Sequence, residues 1–381
     1  MVSQNSTAPL YLDLERPFVD LNLLRKDGQW QQERFLVDTG GGTLLLPVEL
    51  AETLGIPISN KNGIQEFGMN LQKIQMPSIS LGNLPLNLHG PAFVRLNDGG
   101  LDTEVGMAYP MLSTRLLTTY NVLFDFPSRQ FALLLPSSST PRGVTIRTGI
   151  HAQSRFPRIE IEIEGQYYGM LLDTGAGCTM ISPAFFDQLV EQHPNWVRTI
   201  GAIGSANKGL SIIDNGARML RVPQIKLGPF VLEGVCVVAR QVGGNFAQLA
   251  AQALTGPAVG ALGGNILKHF RVEIDFEAGT TYLEQHIQMD QHDMDMIGIA
   301  LSPYKDGTYR ITAVSERNNP QVLQSIKTSD SLLQIDGQEV QGRSLNDVVN
   351  ALRGKPGRTH VLLLKREGEQ FTVNAPTAHI L

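Results

Sequence analysis

Cysteine is nearly missing from this chain. Cys178 and Cys236 are the two in 381 residues. Two thiols cannot build a disulfide framework and do not have the spacing of a zinc site, although a single bridge stays compatible with them. Charge is sparse as well: 18% of residues are Asp, Glu, Lys or Arg, the net charge is −5, and no Lys/Arg-rich stripe occurs. That argues against nucleic-acid binding. No apolar run approaches the roughly 20 residues that a membrane-spanning helix needs. Met1 to Pro9 is polar and lacks a charged start followed by an apolar stretch, so no signal peptide is visible. The expectation is a cytoplasmic protein, or an exported one whose signal was removed before the numbering starts, and these residues do not separate the two.

What the chain has is glycine and proline, 38 and 21 residues, with 42% hydrophobic content. Such a composition suits many short strands joined by tight turns around a substantial core. The length allows two or three domains.

An internal repeat organises the first part. Leu36-Val37-Asp38-Thr39-Gly40-Gly41-Gly42 and Leu171-Leu172-Asp173-Thr174-Gly175-Ala176-Gly177 each run an apolar strand into Asp and then into a Gly-rich turn. A short buried strand and a short helix follow each: Thr43 to Pro47 with Val48–Leu54, and Thr179 to Pro183 with Ala184–Val190. Leu117 to Asp125 repeats as Leu267 to Asp275 with the same spacing. A repeat this long means two similar lobes rather than a solenoid. The expected divisions are a first lobe over 1–136, a linker over 137–151, a second lobe over 152–285, a linker over 286–296 and a third domain over 297–381.

Two carboxylates brought together by a pseudo-two-fold axis cannot both ionise readily. They share a proton and titrate as a unit. One can then activate a water while the other protonates a carbonyl or leaving group. Such a turn also serves as a plain structural corner, with Asp accepting from backbone N–H groups. The doubling of the motif inside a doubled lobe favours a site.

On these residues, and on Ala261-Leu262-Gly263 before a helix at Asn265–Phe270, residues 10–285 resemble the retropepsin/pepsin clan of aspartic peptidases. The resemblance implies a mainly β fold of two retropepsin-like barrel lobes. It implies an endopeptidase dyad of Asp38 and Asp173, supported by Thr39, Gly40, Thr174, Gly175 and Gly263. It implies flaps at Gly63–Asn70 and Thr199–Leu210, a polypeptide substrate, and no metal or other cofactor. Both halves lie in one chain, so a monomer is expected rather than an obligate dimer. The first lobe departs from the pattern: Met111-Leu112-Ser113 stands in register with Ala261-Leu262-Gly263, and Val105-Gly106-Met107 offers a Gly in another register. The alternative reading is a non-catalytic peptide-binding scaffold on a degenerate protease fold. Asp125, Asp275, Cys178, His193, His269, Glu160 and Glu162 are expected to be structural or solvated.

Residues 297–381 resemble a PDZ domain of the bacterial protease-associated kind. The matching stretches are Ile297 to Leu301, Asp330 to Gly337, and the helical spacing of Leu345, Val348, Val349 and Leu352 before Gly354-Lys355-Pro356-Gly357. The resemblance implies a C-terminal peptide ligand bound by strand addition, contacting Gly298, Ile299, Leu301 and Val348, with free N–H groups near Gly298 taking a carboxylate. Ser329 stands where that family has Gly.

Overall fold

A computed structural model describes residues 5–58, 63–66, 69–96, 109–207, 217–240, 251–304 and 306–381. The chain is mainly β, with two lobes of retropepsin-like plan.

The lobes repeat strand for strand. In the first, Arg16–Leu24 pairs antiparallel with Trp30–Asp38, so that Val19 lies opposite Phe35. In the second, Pro157–Ile163 pairs with Gln166–Leu172. Leu44–Pro47 then runs parallel to Ala92–Arg95, and Thr179–Ile181 runs parallel to Phe230–Ala239. A helix follows each of the shorter strands. Val48–Leu54 stops at Gly55, which takes φ 70°; a side chain there would also strike Lys26. Pro183–Gln192 starts on Ser182, whose hydroxyl accepts from the Phe185 N–H, with Pro at the first helical turn.

The lobes join through one sheet, in the order Val144–Arg147, Thr280–Gln285, Phe270–Asp275, Asn121–Asp125, Gln130–Leu134, Ser6–Asp13. Its central pair carries the two-fold in its register: Val122 faces Ile274, and their counterparts Val272 and Phe124 face each other. Phe124, Phe126, Phe131, Phe270 and Phe276 are buried in the core beneath it. Each such side chain contributes roughly 1.5–3 kcal/mol by burial.

Two stretches expected as linkers are built into the fold. Within 137–151, Val144–Arg147 is the outer strand of the interlobe sheet and Gly149–Ile150 pairs with Pro157–Ile163. The Ser/Pro/Gly composition marks the chain just before these strands and gives no sign of the partner edge that recruits them. Within 286–296, Asp295–Met296 pairs with Ala378–His379, and Met294 and Met296 are buried. Flexible Met side chains fill the seam between the second lobe and the third domain.

The C-terminal domain has a sheet ordered Ile299–Pro303, Tyr309–Val314, Ser331–Ile335, Thr359–Arg366, Glu369–Pro376, with helices Pro320–Ser325 and Leu345–Ala351. Ser344 caps the second helix by accepting from the Asp347 N–H. Ile299–Pro303 is an edge strand. Its core and part of the second lobe's core are continuous, running from Leu171, Cys178 and Ile203 to Ile299, Leu301 and Val348.

Candidate active site

The site sits where Trp30–Asp38 and Gln166–Leu172 end against each other. Both turns face inward along the two-fold, and their Thr residues cross between lobes. Thr39 Oγ1 donates to the Leu172 carbonyl at 2.6 Å, and Thr174 Oγ1 donates to the Val37 carbonyl at 2.7 Å. Each hydroxyl also accepts from the opposite turn: the Thr174 N–H reaches Thr39 Oγ1 at 2.9 Å and the Thr39 N–H reaches Thr174 Oγ1 at 3.0 Å. Both residues are buried. These four bonds fix the separation and mutual orientation of the two turns.

Glycine is required where the turns meet. A Cβ on Gly175 would lie 2.5 Å from the Asp38 Cγ, and one on Gly40 would lie 2.7 Å from the Asp173 Cγ. Each Gly therefore lets the opposite carboxylate pass. The Gly40 N–H donates to Asp38 Oδ1 at 2.7 Å, and the Gly175 N–H donates to Asp173 Oδ1 at 2.9 Å. The two carboxyls lie close enough for each to perturb the other's titration.

Burial raises the Asp38 carboxyl above the ordinary range, opposed by the Gly40 N–H. Burial, reinforced by the negative charge of Asp38, holds Asp173 well above it. Both carboxyls are raised and each feels the other, so the pair titrates as a unit that holds its last proton above the ordinary carboxylate range.

Behind each turn, a strand holds the Gly-rich loop in place. Met111–Ser113 runs parallel to Leu36, Val37 and Asp38, and Gly260–Leu262 runs parallel to Met170, Leu171 and Leu172. Met111-Leu112-Ser113 is therefore the counterpart of Ala261-Leu262-Gly263; Val105-Gly106-Met107 lies outside the described residues. At Gly263 a Cβ would come 2.6 Å from the Cys178 carbonyl carbon and 2.8 Å from the Ala176 oxygen. At the equivalent place Ser113 Oγ donates to the Gly41 carbonyl.

For the flaps, Ile64–Glu66 pairs with Met69–Ile74 as a hairpin, with 67–68 outside the described residues. In the second lobe Arg198–Ile200 pairs with Arg218–Leu227, residues 201–207 turn toward the C-terminal domain, and 208–210 lie outside the described residues.

Some supporting residues carried no signal in the sequence. Arg16 is buried; it donates from Nη1 to the Tyr109 hydroxyl at 2.6 Å and from Nη2 to Asp13 at 3.0 Å. Tyr109 stands edge-on to Phe18, and burial pushes its hydroxyl up. Asn265 Oδ1 accepts from the Thr179 N–H and hydroxyl, and its Nδ2 donates to the Cys236 carbonyl, tying the turn to the strand beyond. Only the position of Asn265 after Gly263-Gly264 hinted at a role.

Other candidates are held away from chemistry. Asp125 and Asp275 accept from backbone N–H groups two or three residues ahead, in Asx-type corners. Cys178 and Cys236 are free and buried, and burial pushes the Cys178 thiol up to about 12. His193 stacks on Trp196, and burial drives His269 down to about 4. Glu162 pairs with Lys226, and Glu160 with Arg158. Among the described residues, His292, Asp295 and His379 have ligating atoms within 4.8 Å of one another. Both imidazole Nδ1 atoms lie against the Asp295 carboxylate, His292 at 2.8 Å and His379 at 2.5 Å, and the His379 contact ties the C-terminal strand to the segment before the domain.

In the C-terminal domain, Ile299, Leu301 and Val348 are buried. The Gly298 N–H is not free: it donates to Asn318 Oδ1 at 2.8 Å, and a Cβ there would strike Ile380. The short side chain of Asn318, buried beside the loop, supplies the acceptor that the sequence reading reserved for a ligand.

No curated protein matches the chain. Residues 159–265 match the family model described as aspartyl protease. The second lobe is therefore similar to aspartyl proteases over a stretch that holds Asp173, Thr174, Gly175 and Gly263 and ends at Asn265.

Proposed function

We propose that the chain is an aspartic endopeptidase whose catalytic pair is Asp38 and Asp173. The observation that supports this reading is the reciprocal Thr39/Thr174 grip, which brings the two turns together with Gly175 against Asp38 and Gly40 against Asp173. Asp38, as carboxylate, takes a proton from a water while that water's oxygen attacks the scissile carbonyl carbon. Asp173 gives its proton to the carbonyl oxygen. Collapse of the tetrahedral intermediate breaks the C–N bond and protonates the leaving amine, and the pair returns to its singly protonated state. Thr39, Gly40, Thr174, Gly175 and Gly263 hold the geometry. The paired strands Ile64–Glu66 and Met69–Ile74 serve, in this reading, as a flap over an extended polypeptide. The C-terminal domain, read as PDZ-like, regulates access of polypeptide to this unit.

The test is cleavage of an unfolded protein by the wild type, Asp38→Asn and Asp173→Asn. Cleavage by the wild type and loss in both variants is expected. Wild-type-like cleavage by either variant overturns the shared dyad, and no cleavage by any of the three returns the chain to the scaffold reading.

A further inference from the structure

The edge strand of the C-terminal domain already has an occupant. Along Ile299–Pro303 the backbone donors are few. The Ile299 N–H is spent on the Ile297 carbonyl, and Pro303 has none. Leu301 remains, and the side-chain amide of Asn207 meets it. In the amide orientation that satisfies both partners, the Asn207 oxygen accepts from the Leu301 N–H at 3.0 Å and its nitrogen donates to the Leu301 carbonyl at 2.7 Å. A side-chain amide so placed presents the same donor and acceptor pair as the peptide group of an added strand.

The chain leading to Asn207 is held by the same domain. Thr199 Oγ1 lies 2.6 Å from Ser315 Oγ, and the Ile200 N–H donates to Glu316 Oε2 at 3.1 Å. Gly201 sits against Ala313, and Gly204, at φ 63°, sits against Met294 and Met296. Ala202, Ile203 and Ala206 are buried in the shared core. From the lobe side, Arg240 donates to the Ala206 carbonyl. The polar contacts to the domain involve Thr199, Ile200 and Asn207 at the two ends of the segment, with Gly201, Gly204 and the buried Ala202, Ile203 and Ala206 packed between.

We propose that residues 199–207 are the resident ligand of the C-terminal domain: Asn207 closes the Leu301 edge to strand addition, and another extended peptide gains that edge only by displacing it. This rests on the peptide-handling role proposed above for the domain. It gives the domain a partner within its own chain, on the lobe that carries Asp173.

The test uses the full chain in an Asp173→Asn background, so that no arm depends on cleavage. The probe is a fluorescein-labelled peptide of residues 199–207, followed by anisotropy. The expected result is binding at least tenfold tighter to a Thr199→Ala/Asn207→Ala chain than to one with the resident segment intact. A peptide carrying the same two substitutions should show no such gain. Equal binding to both chains, or binding to neither, overturns the proposal and leaves the contact as packing alone. A second measurement needs only one mild change. Hydrogen exchange at the Leu301 amide should accelerate at least tenfold in Asn207→Ala, and an unchanged rate overturns the proposal as well.

Discussion

The two lobes present the same turn to the site but support it with different atoms. In the second lobe the loop carbonyl of Ala176 accepts from the Gly264 backbone N–H at 2.7 Å, and Gly263 lies so close to Cys178 that no side chain fits. In the first lobe the equivalent carbonyl, on Gly41, accepts from the Ser113 hydroxyl. Ser113 Oγ also accepts from the Arg115 N–H and so starts the short helix Thr114–Leu117. One lobe closes its loop with backbone and the other with a side chain. What the turn demands is a donor to one carbonyl. Glycine is demanded only where that donor is reached by close backbone approach.

The comparison predicts equality at the turn and inequality behind it. The largest effect is on turnover. Asp38→Asn and Asp173→Asn should each cost on the order of 10³-fold or more in kcat, because acid and base act as one unit. A tenfold difference between the two variants in residual activity would break the symmetry at the chemistry itself.

Behind the turn, Gly263→Ser should destabilise by about 3 kcal/mol, because its Cβ meets backbone atoms that have nowhere to go. Ser113→Gly should cost about 1 kcal/mol, the loss of one hydrogen bond and a helix cap. Urea denaturation of both variants checks the pair; similar losses would mean that the two loops are supported alike.

At the grip, Thr39→Ala and Thr174→Ala should each cost about 2 kcal/mol, since either removes two buried bonds between the lobes. The double variant should cost less than the two losses added together, because losing either hydroxyl already lets the turns part and weakens the two bonds that the other hydroxyl makes. Additive losses in a double-mutant cycle would show the two hydroxyls to be independent.

The smallest effect is the pH dependence of stability. Asp173 binds its proton more tightly in the folded state than in the unfolded one. The stability from that proton is fully present below the ordinary carboxylate range and is lost as pH rises through the folded value. Urea midpoints of the wild type should fall across this window, and Asp173→Asn should flatten the fall. Activity should decline on the same alkaline side as Asp173 loses its proton, and on the acid side as Asp38 gains one. A stability profile unchanged by Asp173→Asn would contradict the raised carboxyl.

Much of this was legible in the residues. The doubled Asp-Thr-Gly, the equal spacing of Leu117–Asp125 and Leu267–Asp275, and the register of Met111-Leu112-Ser113 with Ala261-Leu262-Gly263 are local patterns. Each is set by strand periodicity and turn chemistry. The strand at Val144–Arg147 was not legible, because its pairing partner Thr280–Gln285 lies well over a hundred residues on and its own Ser/Pro/Gly approach looks like a linker. Nor were the buried Arg16 and Tyr109, whose pairing spans elements that no local pattern joins. The same holds for Gly298, whose N–H looks free in the sequence until Asn318 folds over it.

By itself, then, the sequence determined that two Asp residues end equivalent strands and that Gly follows each. Only the tertiary structure decided that the Thr hydroxyls bond reciprocally across the lobes and that burial raises both carboxyls above their ordinary range. It also decided that Ser113 does with a hydroxyl what Gly264 does with a backbone N–H. The physical reason is range. Propensity and turn chemistry act over a few residues, whereas desolvation and hydrogen-bond pairing depend on which distant backbone arrives alongside.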